Sequence, residues 1–360
     1  MFCLSQNATT IVKRTERVPL LIPQEMDFPM RCVLAILIGV SLWFAYGVFQ
    51  ENFSRLQNTQ TSQCRLNFIS YHSSQLEDSW LRRIKEWQID PCSVFPEQKR
   101  EAEVWINYST STDFSRPDFS PPRNIFSFFR YKRSCDGGEV IVHVEPLAFL
   151  TRHPFFCSKE PIAGKPNGDY VVDKSYLLLD WDKRRNWIKK RALYFDLGAS
   201  TFDNGAGGNS QQWIIEHYAK RGILFDSIFA WEALAMNALD VFKVIPQQYY
   251  HKYHWYNFPI TAKVEDGRNP WTVLSNTAES EDFVVVKLDI DNPDIENALV
   301  EQIMNNETLS GLIDEFYFEH HVNVTPMWPY WGQSYDLFLK DTYSTFLKLR
   351  KTGIAAHGWV

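Results

Sequence analysis

Apolar and polar residues alternate with different periods along this chain, and the changes of period predict its elements. Ala192 to Phe195 is a short unbroken apolar run that ends in Asp196-Leu197-Gly198, the pattern of a buried strand reaching a turn. A glycine-rich loop with Gly205, Gly207 and Gly208 follows. A helix comes next, with Asn209 and Gln212 spaced as a capping box and Gly222 as its stop. A second apolar strand, Ile223 to Trp231, closes on the single acid Glu232. His254 to Ile260 predicts a third strand, and Asp282 to Asp291 (DFVVVKLDID) a fourth, the strongest buried strand, with three consecutive valines. Ile295, Leu299 and Ile303 keep a four-residue spacing that predicts a helix over 292–304. Leu312 to Val322 gives a fifth strand, Asp341 to Thr352 a helix and Ile354 to Val360 a last strand. Strands alternating with helices predict an α/β fold with a doubly wound, mostly parallel sheet.

The first half reads differently. Cys32 to Phe49 is an uncharged, mostly apolar run of 18 residues, just long enough to span a bilayer. Lys13, Arg14, Arg17 and Arg31 precede it, whereas Arg55 and Arg65 follow. That bias predicts a cytosolic tail (1–31), a transmembrane anchor (32–49) and a remainder in the lumen of the endoplasmic reticulum or Golgi. A cleaved signal peptide starting at Met26 or Met30 is the alternative, and it places the rest in the same compartment. Residues 50–63 read as a polar stem. Residues 64–190 read as an N-terminal lumenal module, with an amphipathic helix at Leu81–Trp87, a Ser/Pro-rich loop at Ser109–Asn124 and a strand at Val140–Val144. Residues 191–360 form the second lumenal domain.

Composition sharpens this picture. A net charge of −6 offers no basic excess to neutralise a phosphate backbone, so no nucleic-acid partner is expected. Cys64, Cys92, Cys135 and Cys157 all fall in the N-terminal module and predict two disulfides, with three pairings open. Sequons stand at Asn52, Asn107, Asn306 and Asn323. The basic cluster from Lys183 to Arg191 reads as a solvated face.

In a parallel sheet every strand's carboxyl end lies along one edge. Asp196, Glu232, Asp289, Asp291, Glu319, His320 and His321 are therefore expected on one rim. The histidines are neighbours on a strand, so at most one faces a given pocket. A nucleotide-type ligand lies across such an edge, where a glycine turn lets the backbone approach it and an acid after the second strand accepts from ribose hydroxyls.

FDLGAS, FAWEA, VVVKLDID and FEHHV, in this order and spacing, resemble the FkbM-type class I S-adenosylmethionine-dependent methyltransferases. The resemblance covers roughly Leu193 to Val322 and implies a Rossmann-like methyltransferase fold with S-adenosylmethionine as cofactor. Asp196, Gly198 and Ala199 match the family's cofactor turn, with Ser200 beside them, and Glu232 matches its ribose acid. Lys287 and Asp289 match the family's fourth-strand block. Asp291 stands where the family has glutamate, Asn292-Pro293 replaces its glycine and Glu296 arrives two residues late. The implied activity is methyl transfer to a hydroxyl of a glycan or small metabolite. His320 or His321 is the expected base, followed by Asp289. Two other classes compete. One is a type II glycosyltransferase holding manganese and a sugar nucleotide on Asp289 and Asp291. The other is a membrane-anchored binding protein without catalysis. An NAD enzyme is not expected, because Ala-Ser-Thr-Phe follows Gly198 where G-x-G-x-x-G spacing needs glycine.

Overall fold

The computed structural model describes residues 66–111, 120–158, 167–179, 191–205 and 208–360. Among these no helix is long and apolar enough to cross a membrane. The expected tail, anchor and stem, Cys64, Asn52 and most of the basic cluster lie outside them.

The first strand, β1 (Leu66–His72), pairs antiparallel with β2 (Ser127–Arg133), which pairs antiparallel with β3 (Glu139–Val144). Between β1 and β2 run the helices α1 (Gln75–Trp87) and α2 (Lys99–Ser109). Ser74 caps α1 by accepting from the Glu77 N–H, and Trp80 and Trp87 on its inner face are buried. Cys92 and Cys157 are joined by a disulfide, and Cys135 is disulfide-bonded as well.

Six parallel strands make the second sheet: β4 (Ala192–Leu197), β5 (Ser227–Trp231), β6 (Tyr253–Tyr256), β7 (Phe283–Leu288), β8 (Glu315–Phe318) and β9 (Ala355–Gly358). Their order is β6-β5-β4-β7-β8-β9. All residues of β4 and β7 are buried, as expected of strands covered on both faces. Full burial of such side chains contributes about 1.5–3 kcal/mol each, so these two central strands anchor the sheet. The crossovers use α3 (Ser210–Lys220), α4 (Ala238–Val244), α5 (Pro270–Thr277), α6 (Pro293–Asn305) and α7 (Leu339–Lys351). Tyr317 meets Tyr218 of α3 through their hydroxyls, while its neighbour Phe318 stacks on Phe346 of α7. Consecutive residues of one strand point to opposite faces, so helices cover both.

The chain winds outward from β4 through β5 to β6, then returns beside β4 and winds the other way from β7 to β9. The β4–β7 boundary is thus a switch point, where a crevice opens beyond the strand ends. Gly222 adopts φ +78°, and the Ile223 N–H reaches back to the Tyr218 carbonyl, which ends α3 as expected. The capping box is not made. The Asn209 side chain does not cap the helix, and the Gln212 N–H donates to the Phe202 carbonyl in the preceding loop.

Residues 62–360 form one compact unit. The cysteine-bearing segment shares a continuous core with the parallel sheet, from Trp80 through Phe149 to Tyr343 and Val360. Tyr131, Tyr176 and Tyr343 donate across that junction to the carbonyls of Gly353, Gly358 and Phe149. Of the described sequons, Asn107 and Asn306 are exposed, whereas the Asn323 amide oxygen accepts from the Trp328 indole.

Candidate functional site

The turn after β4 is fixed by its neighbours on both sides. The N–H groups of Gly198 and Ala199 donate to the Trp231 carbonyl at the end of β5, and the Ser200 N–H donates to Glu232 Oε2 at 2.9 Å. Glu232 Oε1 accepts from the Leu234 N–H at 2.8 Å. Each carboxylate oxygen keeps a free lone pair for a hydroxyl donor. On the other flank the Asp289 N–H donates to the Leu197 carbonyl. Gly198 has φ +89°, and a Cβ there would lie 1.7 Å from the Asp289 carbonyl oxygen. No side chain fits between these two turns, so the glycine is obligatory.

Lys287 of β7 fastens this arrangement from below. Its ammonium group donates to the Gly198 carbonyl at 2.9 Å and lies 3.2 Å from Asp196 Oδ1 and 3.3 Å from Asp289 Oδ2. Burial works against its charge, but Asp196 and Asp289 outweigh that and hold its pKa above the ordinary lysine value. Its three N–H donors match these three acceptors. Asp196 itself is fully buried; besides this ion pair, its Oδ2 accepts from the Gln211 amide of α3. It does not line the cavity above, contrary to expectation. Its work is to position the lysine and the helix.

Beyond β7 the chain passes Asp289 and reaches Asp291, which adopts φ +54°, a conformation open to aspartate and asparagine more than to most residues. Glu296 of α6 folds back, its Oε1 accepting from the Ile290 N–H at 2.8 Å. Beyond β8, Glu319 Oε1 is held by the buried Arg152 guanidinium and by the Trp331 indole at 3.1 Å. The two histidines part company here. His320 turns away from the cavity, shares a hydrogen bond with Thr342 of α7 at 3.0 Å and stacks on Phe318. Burial, helped by the neighbouring His321, lowers its pKa to about 4. A base confined there meets no acceptor, so the expectation for His320 is corrected. His321 faces the cavity. Burial pulls its pKa down, but Glu296, Glu319 and Asp291 outweigh this and hold it above the ordinary imidazole value.

Together these groups line a cavity of about 1030 Å³ along the carboxyl edge of the sheet. Gly198, Ala199, Ser200 and Glu232 occupy one part of its wall, and Asp289, Asp291, Glu319 and His321 another. Trp331, Tyr330 and Tyr335 add an aromatic side, and Phe258, Ile260 and Ile290 an apolar one. The volume sits at the top of the roughly 300–1,000 Å³ usual for small-molecule sites. Arg152 and the aromatic run Trp328–Trp331 were not expected from sequence. Compared with known proteins, the chain matches no family model, no curated protein and no solved structure.

Proposed function

We propose that the chain is an S-adenosylmethionine-dependent methyltransferase acting on a hydroxyl. The observation that carries this reading is the union of the β4 turn with Glu232. The Ser200 N–H donates to that carboxylate, and both groups line one cavity at the switch point of a parallel sheet. Glu232 would accept from the ribose hydroxyls, and Phe258, Ile260 and Ile290 supply apolar surface for the adenine. The sulfonium, when bound, supplies an electrophilic methyl group.

The chain's own task is then to hold an acceptor hydroxyl in line with that methyl at about 3 Å and to take its proton. Asp289 and His321 are the basic groups that face the cavity. The aromatic side formed by Tyr330, Trp331 and Tyr335 suits the ring of a glycan or small metabolite. A second reading, sugar-nucleotide transfer with manganese, draws on Asp291, Glu319 and His321, whose ligand atoms lie within 4.8 Å of one another. This grouping shares Asp291 with the Asp289–Asp291 pair expected from sequence; Asp289 Oδ2 lies 3.3 Å from the Lys287 ammonium.

Calorimetry on the purified full-length chain tests the proposal. Micromolar binding of S-adenosylmethionine or its demethylated product is expected. A folded sample that binds neither, yet is stabilised by a sugar nucleotide with manganese, would replace it with the second reading.

A further inference from the structure

Beside His321, Glu296 and Glu319 are each anchored through one carboxylate oxygen while the other oxygen faces the imidazole. His321 is 4% exposed at its side chain. Its Nε2 lies 3.8 Å from Asp291 Oδ1 and 3.7 Å from Glu319 Oε2, and its Nδ1 lies 3.6 Å from Glu296 Oε2. All three separations exceed hydrogen-bond range. Nδ1 and Glu296 Oε2 have no hydrogen-bond partner among the described residues. The backs of the same side chains are tied down: Glu296 Oε1 by the Ile290 N–H, Glu319 Oε1 by Arg152 and Trp331. What remains is one imidazole nitrogen and two carboxylate oxygens converging at the cavity wall.

We propose that Asp291, Glu319 and His321 form a divalent-cation site that presents the acceptor's oxygen to the transferred methyl. Around an ion with ligands at about 2.1 Å, adjacent donors lie ~3 Å apart and opposite donors ~4.2 Å apart. The distances from Nε2 fall between these limits, so small rotations of Asp291 and Glu319 close the shell. Asp291 is 81% exposed at its side chain. A neutral imidazole on one side and carboxylates on the other suit Mn²⁺ or Zn²⁺ better than the all-oxygen preference of Ca²⁺ or Mg²⁺. Glu296 Oε2, 3.6 Å from Nδ1, stands on the side of the ring where a carboxylate sets tautomer and orientation in metal-bound histidines once the two groups close to hydrogen-bond distance. Three protein ligands leave coordination positions open toward the cavity, as at a catalytic and not a structural site.

The cation's binding stands on its own geometry; its role toward the acceptor rests on the methyl-transfer reading. In that role it takes the hydroxyl oxygen as a ligand and lowers the hydroxyl's pKa. The proton passes to the Asp289 carboxylate. The oxygen's lone pair forms the new C–O bond as the C–S bond breaks, and the C–S bonding pair stays on sulfur, which leaves as a neutral thioether. His321, as a ligand, is not the base.

The test titrates the full-length chain with Mn²⁺, following free ion by its electron paramagnetic resonance signal and bound ion by nitrogen hyperfine coupling. One Mn²⁺ per chain is expected, coupled to one imidazole nitrogen. Asp291→Asn keeps a residue suited to the same backbone and should weaken binding by about tenfold or more without altering the metal-free unfolding midpoint. His321→Gln should remove the nitrogen coupling. No binding of Mn²⁺ or Zn²⁺ by folded wild-type chain at millimolar ion would overturn the site, as would binding unchanged in both variants. Calorimetry with S-adenosylmethionine on the same sample separates the two ideas. Cofactor binding without metal binding ends this proposal alone, and metal binding without cofactor binding ends the methyl-transfer reading and leaves the cation site.

Discussion

Two clusters of buried charge sit in this molecule, and they are finished to different degrees. The first joins the antiparallel sheet to the end of the parallel one. Glu77, Glu145, Glu315, Arg350 and His357 are all buried there. Arg350 donates to Tyr71, Glu77, the Glu145 carbonyl and the Ala356 carbonyl. Both ring nitrogens of His357 are engaged, Nδ1 with Glu145 at 2.8 Å and Nε2 with Glu315. Glu77 also accepts from Ser127 and the Leu147 N–H. The second cluster is the cavity wall around His321, where Nδ1 and Glu296 Oε2 have no such partner among the described residues. A closed network serves structure. Polar groups left incomplete beside a cavity mark the place where something else completes them.

The largest effect that separates the two comes from removing the cation of the closed cluster. Arg350→Met leaves Glu77 and Glu145 buried beside a lost counter-charge and should cost about 3–5 kcal/mol of stability, read as a fall in the urea midpoint. Asp291→Asn, at an exposed edge of the open cluster, should cost no more than about 0.5 kcal/mol. Equal losses would mean that both clusters are structural.

Next in size is a pH effect. Burial lowers the pKa of His357, but Glu145 and Glu315 outweigh it and raise the value to about 9. The folded value stands above the unfolded value of about 6.5, so the stabilisation is fully present below pH ~6.5 and is lost as pH rises through 9. A shift of this size corresponds to roughly 3 kcal/mol. Lys174 acts oppositely. Burial, with the nearby charge of Lys287, lowers its pKa to about 8, so its contribution to stability grows as pH climbs from there toward the unfolded lysine value. The wild-type minus His357→Gln difference isolates the histidine. Urea midpoints at pH 6, 8 and 10 should show that difference shrinking with pH, and a constant difference would refute the assignment.

A smaller effect tests the cavity directly. Glu232→Ala removes a charged acceptor worth about 1.5 kcal/mol to a ribose hydroxyl, roughly tenfold in affinity. Calorimetry with S-adenosylmethionine reads it. Unchanged affinity would detach Glu232 from the cofactor.

The central strands were legible because burial on both faces leaves no polar position to blur them; the VVV run inside β7 is the clearest case. Of the antiparallel sheet, β3 was legible at Val140–Val144, but β1 and β2 were not. In β2 the inward residues are Ser127, Phe129 and Tyr131, and outward Phe128 stacks on His72. A polar residue thus faces in and an aromatic one faces out, which scrambles the period. Strand ends were overextended for a related reason. After Tyr256 the Asn257 amide turns to the carbonyls of Glu232 and Leu234, ending β6 before the apolar Phe258. The cavity's acids and His321 could be placed on one edge from strand order alone. Arg152 could not, because it reaches Glu319 across a separation of 167 residues and no local pattern records that contact.

The smallest expected effect is the sharpest local comparison, since it sets two adjacent histidines against each other. His320 and His321 are both buried, yet one completes a hydrogen bond with Thr342 while the other faces Asp291 and Glu319. His320→Gln keeps a polar group that can reach Thr342, so it should cost about 1 kcal/mol at most. It should leave affinity for Mn²⁺ and S-adenosylmethionine unchanged. His321→Gln should spare cofactor affinity and lose the metal. If His320→Gln alone weakened ligand binding, the division of labour at the end of β8 would be reversed, and the base would have to be sought on the α7 side of the sheet.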